Sequence, residues 1–343
     1  MIIDNNEKKH KKEFIISFSI LRMYLCFVVV NIHLLKKTRL KYKYLVKFLR
    51  NGISVPIFFI MSFFLCYKLF SLNDIKKIKL RFERLIIPYF LWPIIIWLFN
   101  NIFHFLLKMT MKISLYDLII QILTGHNYVT VLWFQLNLIA ITVLMFLIHK
   151  LFYKNALYIL MNLLIISYFF QYSNINLKYF SQFPSYIGNS YGRLMESFPF
   201  CISGYILGSS GIINALKEKR IKSLYILVSA LFILMKYTMF FAIKGFYYQG
   251  IRLHIISIII FIIFALNPFE KIIIIKKMII FLTNYTSGIY YLHIPIYLYL
   301  SKYILLIRER TILGSIIIYL ICYLFSLIGT IILGKTKLKH LFL

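Results

Sequence analysis

The sequence predicts an all-α polytopic membrane protein, a bundle of about ten transmembrane helices forming a single domain over 1–343. Three observations predict it: composition, the length of the apolar blocks, and the placement of charge. Of 343 residues, 61% are hydrophobic and 15% charged, whereas soluble domains run near 45–50% and about 25%. The apolar residues gather into blocks of about 20, the length a helix needs to cross a hydrocarbon core. Lys and Arg lie mainly between the blocks, where they meet headgroups and water.

The blocks place spans at 14–35, 52–71, 85–107, 130–152, 155–173, 194–213, 221–243, 249–267, 278–301 and 311–334. Between the fourth and fifth stand only Tyr153 and Lys154, which makes those two a tight hairpin. The basic run Lys8–Lys12 followed by Phe14–Leu35 has the order of a signal peptide. The apolar stretch is too long for an h-region and no small-residue cleavage site follows, so it is read as an uncleaved first helix.

Forty Lys and Arg against ten Asp and Glu give a formal net charge of +30. On a soluble chain that excess would suggest nucleic acid, but no nucleic-acid motif is present and the charges flank spans. They fit a lipid bilayer with an anionic surface. The N-terminal arm and the loops after even-numbered spans carry more Lys and Arg than the loops after odd-numbered ones, once Lys36–Arg50 is set apart. Cytoplasmic N- and C-termini follow. The seven basic residues of Lys36–Arg50 run against this rule. Two explanations stay open: an amphipathic segment lying along the membrane, or an inverted first hairpin.

The four cysteines, Cys26, Cys66, Cys201 and Cys322, lie in apolar runs with no Cys-x-x-Cys pair, and read as small buried hydrophobes. No metal cluster and no permanently bound cofactor is expected.

Polar groups inside spans are costly, about 2.5–3.5 kcal/mol or more for a charge near the centre, and tend to be functional. The first span holds Arg22 and His33. Eleven residues are about three turns, so both take the same side of the helix, about 16 Å apart along its axis. A snorkelling Arg and an interfacial His are the plain alternative; the matched facing favours function. At the entrance to the third span, Arg81 and Arg84 are three apart before Pro88. Paired guanidinium forks suit phosphate, and a positive-inside anchor is the plain alternative. His293 lies in the ninth span two residues before Pro295. His254, Arg252 and Lys236 have weaker claims. Glu196 follows Arg193 by three positions, so the two can pair with each other.

These residues fall in segments that resemble the integral-membrane acyltransferase 3 family, bacterial O-acyltransferases of cell-surface glycans. ILRMYLCFVVVNIHLL is similar to the family's first helix, with Arg22 and His33 on its Arg–His pattern. NGISVPIFFIMSFFLCYKLF resembles the second helix, with Ser62 kept and Phe63 where Gly is usual. KLRFERLIIPYFLWP resembles the basic entrance to the third, at Arg81, Arg84 and Pro88. VTVLWFQLNLI matches at Leu132, Trp133 and Phe134, and FPFCISGYILG at Gly204. YTSGIYYLHIPIY matches at Ser287, Gly288, Tyr290 and His293.

The resemblance implies transfer of an acyl group, acetyl by expectation, from acyl-CoA to a hydroxyl of a polysaccharide or lipid-linked sugar at the bacterial plasma membrane. His33 would be the general base, Arg22 would hold the donor or stabilise developing charge, and Arg81 and Arg84 would bind donor phosphates. His293, Ser287, Trp133 and Glu196 are further candidates. Two rivals stand beside this expectation: a glycan or lipid-linked sugar transporter without chemistry, and a structural partner in a glycan synthase complex.

Overall fold

A computed structural model describes residues 5–34, 53–107, 114–125, 132–153, 155–172, 185–243, 251–268, 276–303 and 312–336. Several helix-end side chains, that of His33 among them, and the basic segment Lys36–Arg50 lie outside the described residues. The described chain is all-helical. In order run α1 (Asn5–Leu34), α2 (Ser54–Ser71), α3 (Ile75–Leu107), α4 (Leu115–Thr124), α5 (Trp133–Leu151), α6 (Ala156–Tyr172) and α7 (Ser185–Ser209). There follow α8 (Ile212–Glu218), α9 (Arg220–Ile243), α10 (Ile251–Ala265), α11 (Lys276–Asn284), α12 (Thr286–Tyr303) and α13 (Ile312–Gly334).

Among the described residues, each of the ten apolar stretches contains helix, with breaks at Ser210–Gly211 and Tyr285. By length and composition, α2, α5 and the Ile317–Gly334 part of α13 can each cross a membrane. A bent pair, the Gly192–Ser209 part of α7 with α8, turns through 58° and qualifies as a fourth. The chain is therefore a helical membrane protein, with three or four spans meeting this test among the described residues. Two stretches depart from the sequence expectation. The loop at 108–129 holds α4, because Ser114 and Asp117 form a capping box and Gly125, at φ 63°, closes the other end. The stretch 278–301 is broken by a turn at Tyr285, which separates α11 from α12.

The main core gathers α1, α2, α5, α7 and α10 around Phe18, Ile60, Phe64, Ile141, Tyr205 and Phe261. α2 packs along α7 more extensively than any other pair. Gly204 makes this possible: a Cβ there would run into the carbonyl oxygen and Cα of Ile60. Small residues at helix seams allow such approach where lipid tails supply no hydrophobic drive. Phe63, at the position usually Gly in the resembled family, is fully buried in this core. The α12–α13 seam uses Gly288 in the same way, against the Thr330 side chain.

Hydrogen bonds hold α1 to the C-terminal helices. Thr283 Oγ1 donates to the Ser19 carbonyl at 3.2 Å, and Cys26 Sγ donates to the Thr286 carbonyl at 3.5 Å. Tyr319 of α13 donates its hydroxyl to the Phe27 carbonyl at 3.2 Å while the two rings pack edge to face at 4.7 Å. The ends of the chain thus close on each other, which carries the first helix to the ninth-span segment.

Candidate functional site

α1 is helical through both Arg22 and His33. The backbone therefore keeps the eleven-residue spacing, although the His33 side chain lies outside the described residues. Arg22 is half-buried, and its Nη2 donates to Ser287 Oγ at 2.8 Å. Cys26 and Tyr291 lie within electrostatic reach of Arg22, with Arg84 a weaker and more distant influence.

Tyr291 extends the site to α3 and α5. Its hydroxyl donates to Gln135 Oε1 at 2.6 Å, and Gln135 Nε2 donates to the Leu85 carbonyl at 2.6 Å. That carbonyl stands one turn before Pro88 and Tyr89. Pro88 lacks an N–H and its ring crowds the preceding turn, and α3 continues past it as one helix to Leu107. The Trp92 ring stacks on Tyr291 with centroids 5.0 Å apart. Gln135 thus joins three helices by one amide, using a donor and an acceptor at once.

Trp133 and Arg193 stand on the other side of α12. The Arg193 guanidinium lies over the Trp133 ring, 4.6 Å from its centroid. Its charge is within reach of Tyr290 and of Glu196, one turn along α7. Phe134 packs on Tyr290 at 5.9 Å, and Tyr290 on His293 at 6.1 Å. His293 is fully buried, with Nδ1 3.2 Å from the Ile289 carbonyl. The Trp133 backbone is seated by Gly125, whose missing side chain leaves room for the Trp133 Cα, 2.8 Å from where a Cβ would stand.

Arg81 and Arg84 do not act as a common fork. Arg81 is half-buried and donates Nη2 to Ser62 Oγ at 2.8 Å, on the side of Cys66 and Cys201, while its Nε is buried with no hydrogen-bond partner. Arg84 is exposed. Arg193 and Glu196, which the spacing lets pair, lie within electrostatic reach of each other; Arg193 also rests on an indole, and Glu196 is exposed. Of the weaker candidates, His254 is buried with Nε2 2.8 Å from Ser203 Oγ; the side chains of Arg252 and Lys236 lie outside the described residues.

Sequence reasoning singled out Arg22, Arg84, Ser287, Trp133 and His293 on separate segments. It missed Gln135, Tyr291 and the Arg193–Trp133 contact. The signal for Gln135 and Arg193 was available, since each is a strong hydrogen-bonding group at the edge of an apolar run. Among the described residues no group of three or more His, Cys, Asp or Glu is placed to hold a metal ion.

The site therefore offers fixed cations, hydroxyls and aromatic faces inside a helical membrane bundle, suited to an anionic substrate bearing a polar acceptor. Residues 15–335 match the sequence model of the acyltransferase domain family of integral-membrane proteins, and the chain belongs to that family. It is an acyltransferase by that membership. No curated protein and no solved structure matches the chain at a significant level.

Proposed function

We propose that the protein is a membrane-bound O-acyltransferase that moves an acetyl group from acetyl-CoA to a hydroxyl of a cell-surface or exported polysaccharide, or of its lipid-linked precursor. In this reading the chain is one domain of about ten spans in the bacterial plasma membrane, with both termini in the cytoplasm. The observation that carries it is the hydrogen bond from Arg22 to Ser287, which joins the first- and ninth-span segments at a half-buried cation.

Acetyl-CoA enters from the cytoplasm and its phosphates meet Arg81 and Arg84 by charge-assisted bonds. Arg22, steadied by Ser287, holds the donor by charge-assisted bonds. A base takes the proton of the acceptor hydroxyl as its oxygen attacks the thioester carbon. The carbon–sulfur bond then breaks, a carbon–oxygen ester bond forms, and CoA leaves as the thiol after gaining a proton. His33 is the base in this reading, because imidazole titrates near neutral pH.

The test compares glycan from wild-type cells, a deletion strain and an Arg22→Ala strain by mass spectrometry, with acetyl-CoA consumption followed in membranes. Loss of an acetyl increment in both mutant strains, with loss of CoA release, supports the reading. Glycan that is fully acetylated in the deletion strain overturns it. Glycan that stays unexported while membranes consume no acetyl-CoA points to transport.

A further inference from the structure

We propose that Arg193 is a substrate-binding residue that holds an anionic group, a phosphate or a carboxylate, at the Trp133 end of the site. The proposal rests on the acyl-transfer reading of that site and adds to it a second anchoring point, separate from Arg81 and Arg84.

Arg193 is held in place from its backbone. Ser197 Oγ donates to the Arg193 carbonyl at 2.7 Å and accepts from Asn137 Nδ2 at 3.0 Å, which ties this turn of α7 to α5. The guanidinium is directed onto Trp133, whose own backbone is fixed by the close approach of Gly125. A cation on an aromatic face keeps its N–H edges for a ligand, and an indole is the best such face. Among the described residues no carboxylate oxygen is in ion-pair contact with Arg193; the described pairs Asp74–Lys77 and Lys79–Glu83 lie elsewhere.

The position matters because Tyr290 lies within reach of Arg193 while the neighbouring Tyr291 lies within reach of Arg22. Two guanidiniums thus flank consecutive residues of α12. The acid within reach of Arg193 is Glu196 alone among the described residues. Glu196 is exposed, one turn along α7, and its charge tempers that of Arg193 without covering it. A site built with excess positive charge in a low-dielectric bundle is completed by an anion.

The anion has two possible sources, the donor's phosphates and an acidic group of the acceptor glycan. Kinetics separate them. The full-length protein is assayed in membranes with acetyl-CoA and the native glycan, as wild type, Arg193→Gln, Arg193→Lys and Glu196→Gln. Inorganic phosphate binding to the purified protein in nanodiscs is measured in parallel and does not depend on turnover. Arg193→Gln is expected to raise one KM about tenfold or more with a smaller effect on kcat, as loss of a charge-assisted bond requires. Arg193→Lys restores part of this loss. Glu196→Gln is expected to act in the opposite direction, lowering the same KM and tightening phosphate. A rise confined to acetyl-CoA names the donor as the source; a rise confined to glycan names the acceptor. A protein that transfers nothing but binds phosphate in the order Glu196→Gln, wild type, Arg193→Gln keeps this proposal and sinks the transferase reading. Unchanged KM values and phosphate affinity in Arg193→Gln overturn it, as does a Glu196→Gln variant impaired in the same direction, the result of a merely structural pair.

Discussion

Arg22 and Ser287 are 265 residues apart in sequence and joined by a hydrogen bond of 2.8 Å. The bond fixes a charged side chain of the first helix to the start of α12, with Tyr291 one turn further on. Hydrogen bonds to charged groups contribute about 1.5–3 kcal/mol, more than neutral ones. Ser287→Ala should therefore lower transfer by about tenfold while the protein still inserts, and Arg22→Lys should lower it more, because an ammonium cannot reproduce the fork. Initial rates in membranes at matched protein level check both. Equal rates for Ser287→Ala and wild type would remove the bond from the mechanism.

Arg81 and Arg84 should separate under mutation. Arg84 is exposed and bonds no other side chain, so Arg84→Ala is expected to weaken acetyl-CoA binding with little loss of stability. Arg81 links α3 to Ser62 of α2, so Arg81→Ala should also lower the melting temperature. The double variant should lose donor binding while staying in the membrane. Donor affinity unchanged in the double variant would return both residues to an anchoring role.

For the base, the expectation is a factor of about 10²–10⁴ in rate. His33→Ala and His33→Gln should both abolish glycan acylation, because an amide hydrogen-bonds but takes no proton at this pH. Transport without chemistry predicts instead that Gln largely preserves function. Should His33→Gln acylate normally, the same pair of variants at His293, buried beside Tyr290, becomes the deciding experiment.

Reporter fusions after Lys154 and after Leu343 should both read cytoplasmic, and one near Asn127 should read external, since the basic loops weigh that way. Asn127 and Leu343 found on the same side would mean that the number of crossings between them is even rather than odd.

Gly204→Leu tests the α2–α7 seam. Its side chain would meet backbone rather than a movable side-chain tip, and overpacking of this kind costs about 1–3 kcal/mol. The expected result is a lower melting temperature in detergent and a lower yield. A variant as stable as wild type would show that α2 and α7 can part without penalty.

The all-helical class was legible in the sequence because a membrane helix is written in one continuous apolar block, and each block contains helix among the described residues. The short α4 was hidden within a loop although its start, Ser114 with Asp117, is a readable capping box. The break at Tyr285 was not legible, since the apolar character runs on through the turn and only its geometry divides α11 from α12. Arg22 and His293 could be singled out because polar groups are expensive in such blocks, and Ser287 through the family resemblance.

What the sequence by itself determined was therefore the class of the protein and which polar residues carry a cost that needs an explanation. Tertiary structure decided their partners. Spacing placed Arg81 and Arg84 on one face, and the fold gave Arg81 a bond to Ser62 while Arg84 stayed exposed; spacing let Arg193 reach Glu196, and the fold added the Trp133 ring beneath it. The physical reason is range. Apolar periodicity and the cost of burying a charge are local properties of the chain. A hydrogen bond or a cation on a ring acts over a few ångströms between helices, and which helices come that close is set by seams such as Gly204 on Ile60 and Gly288 on Thr330.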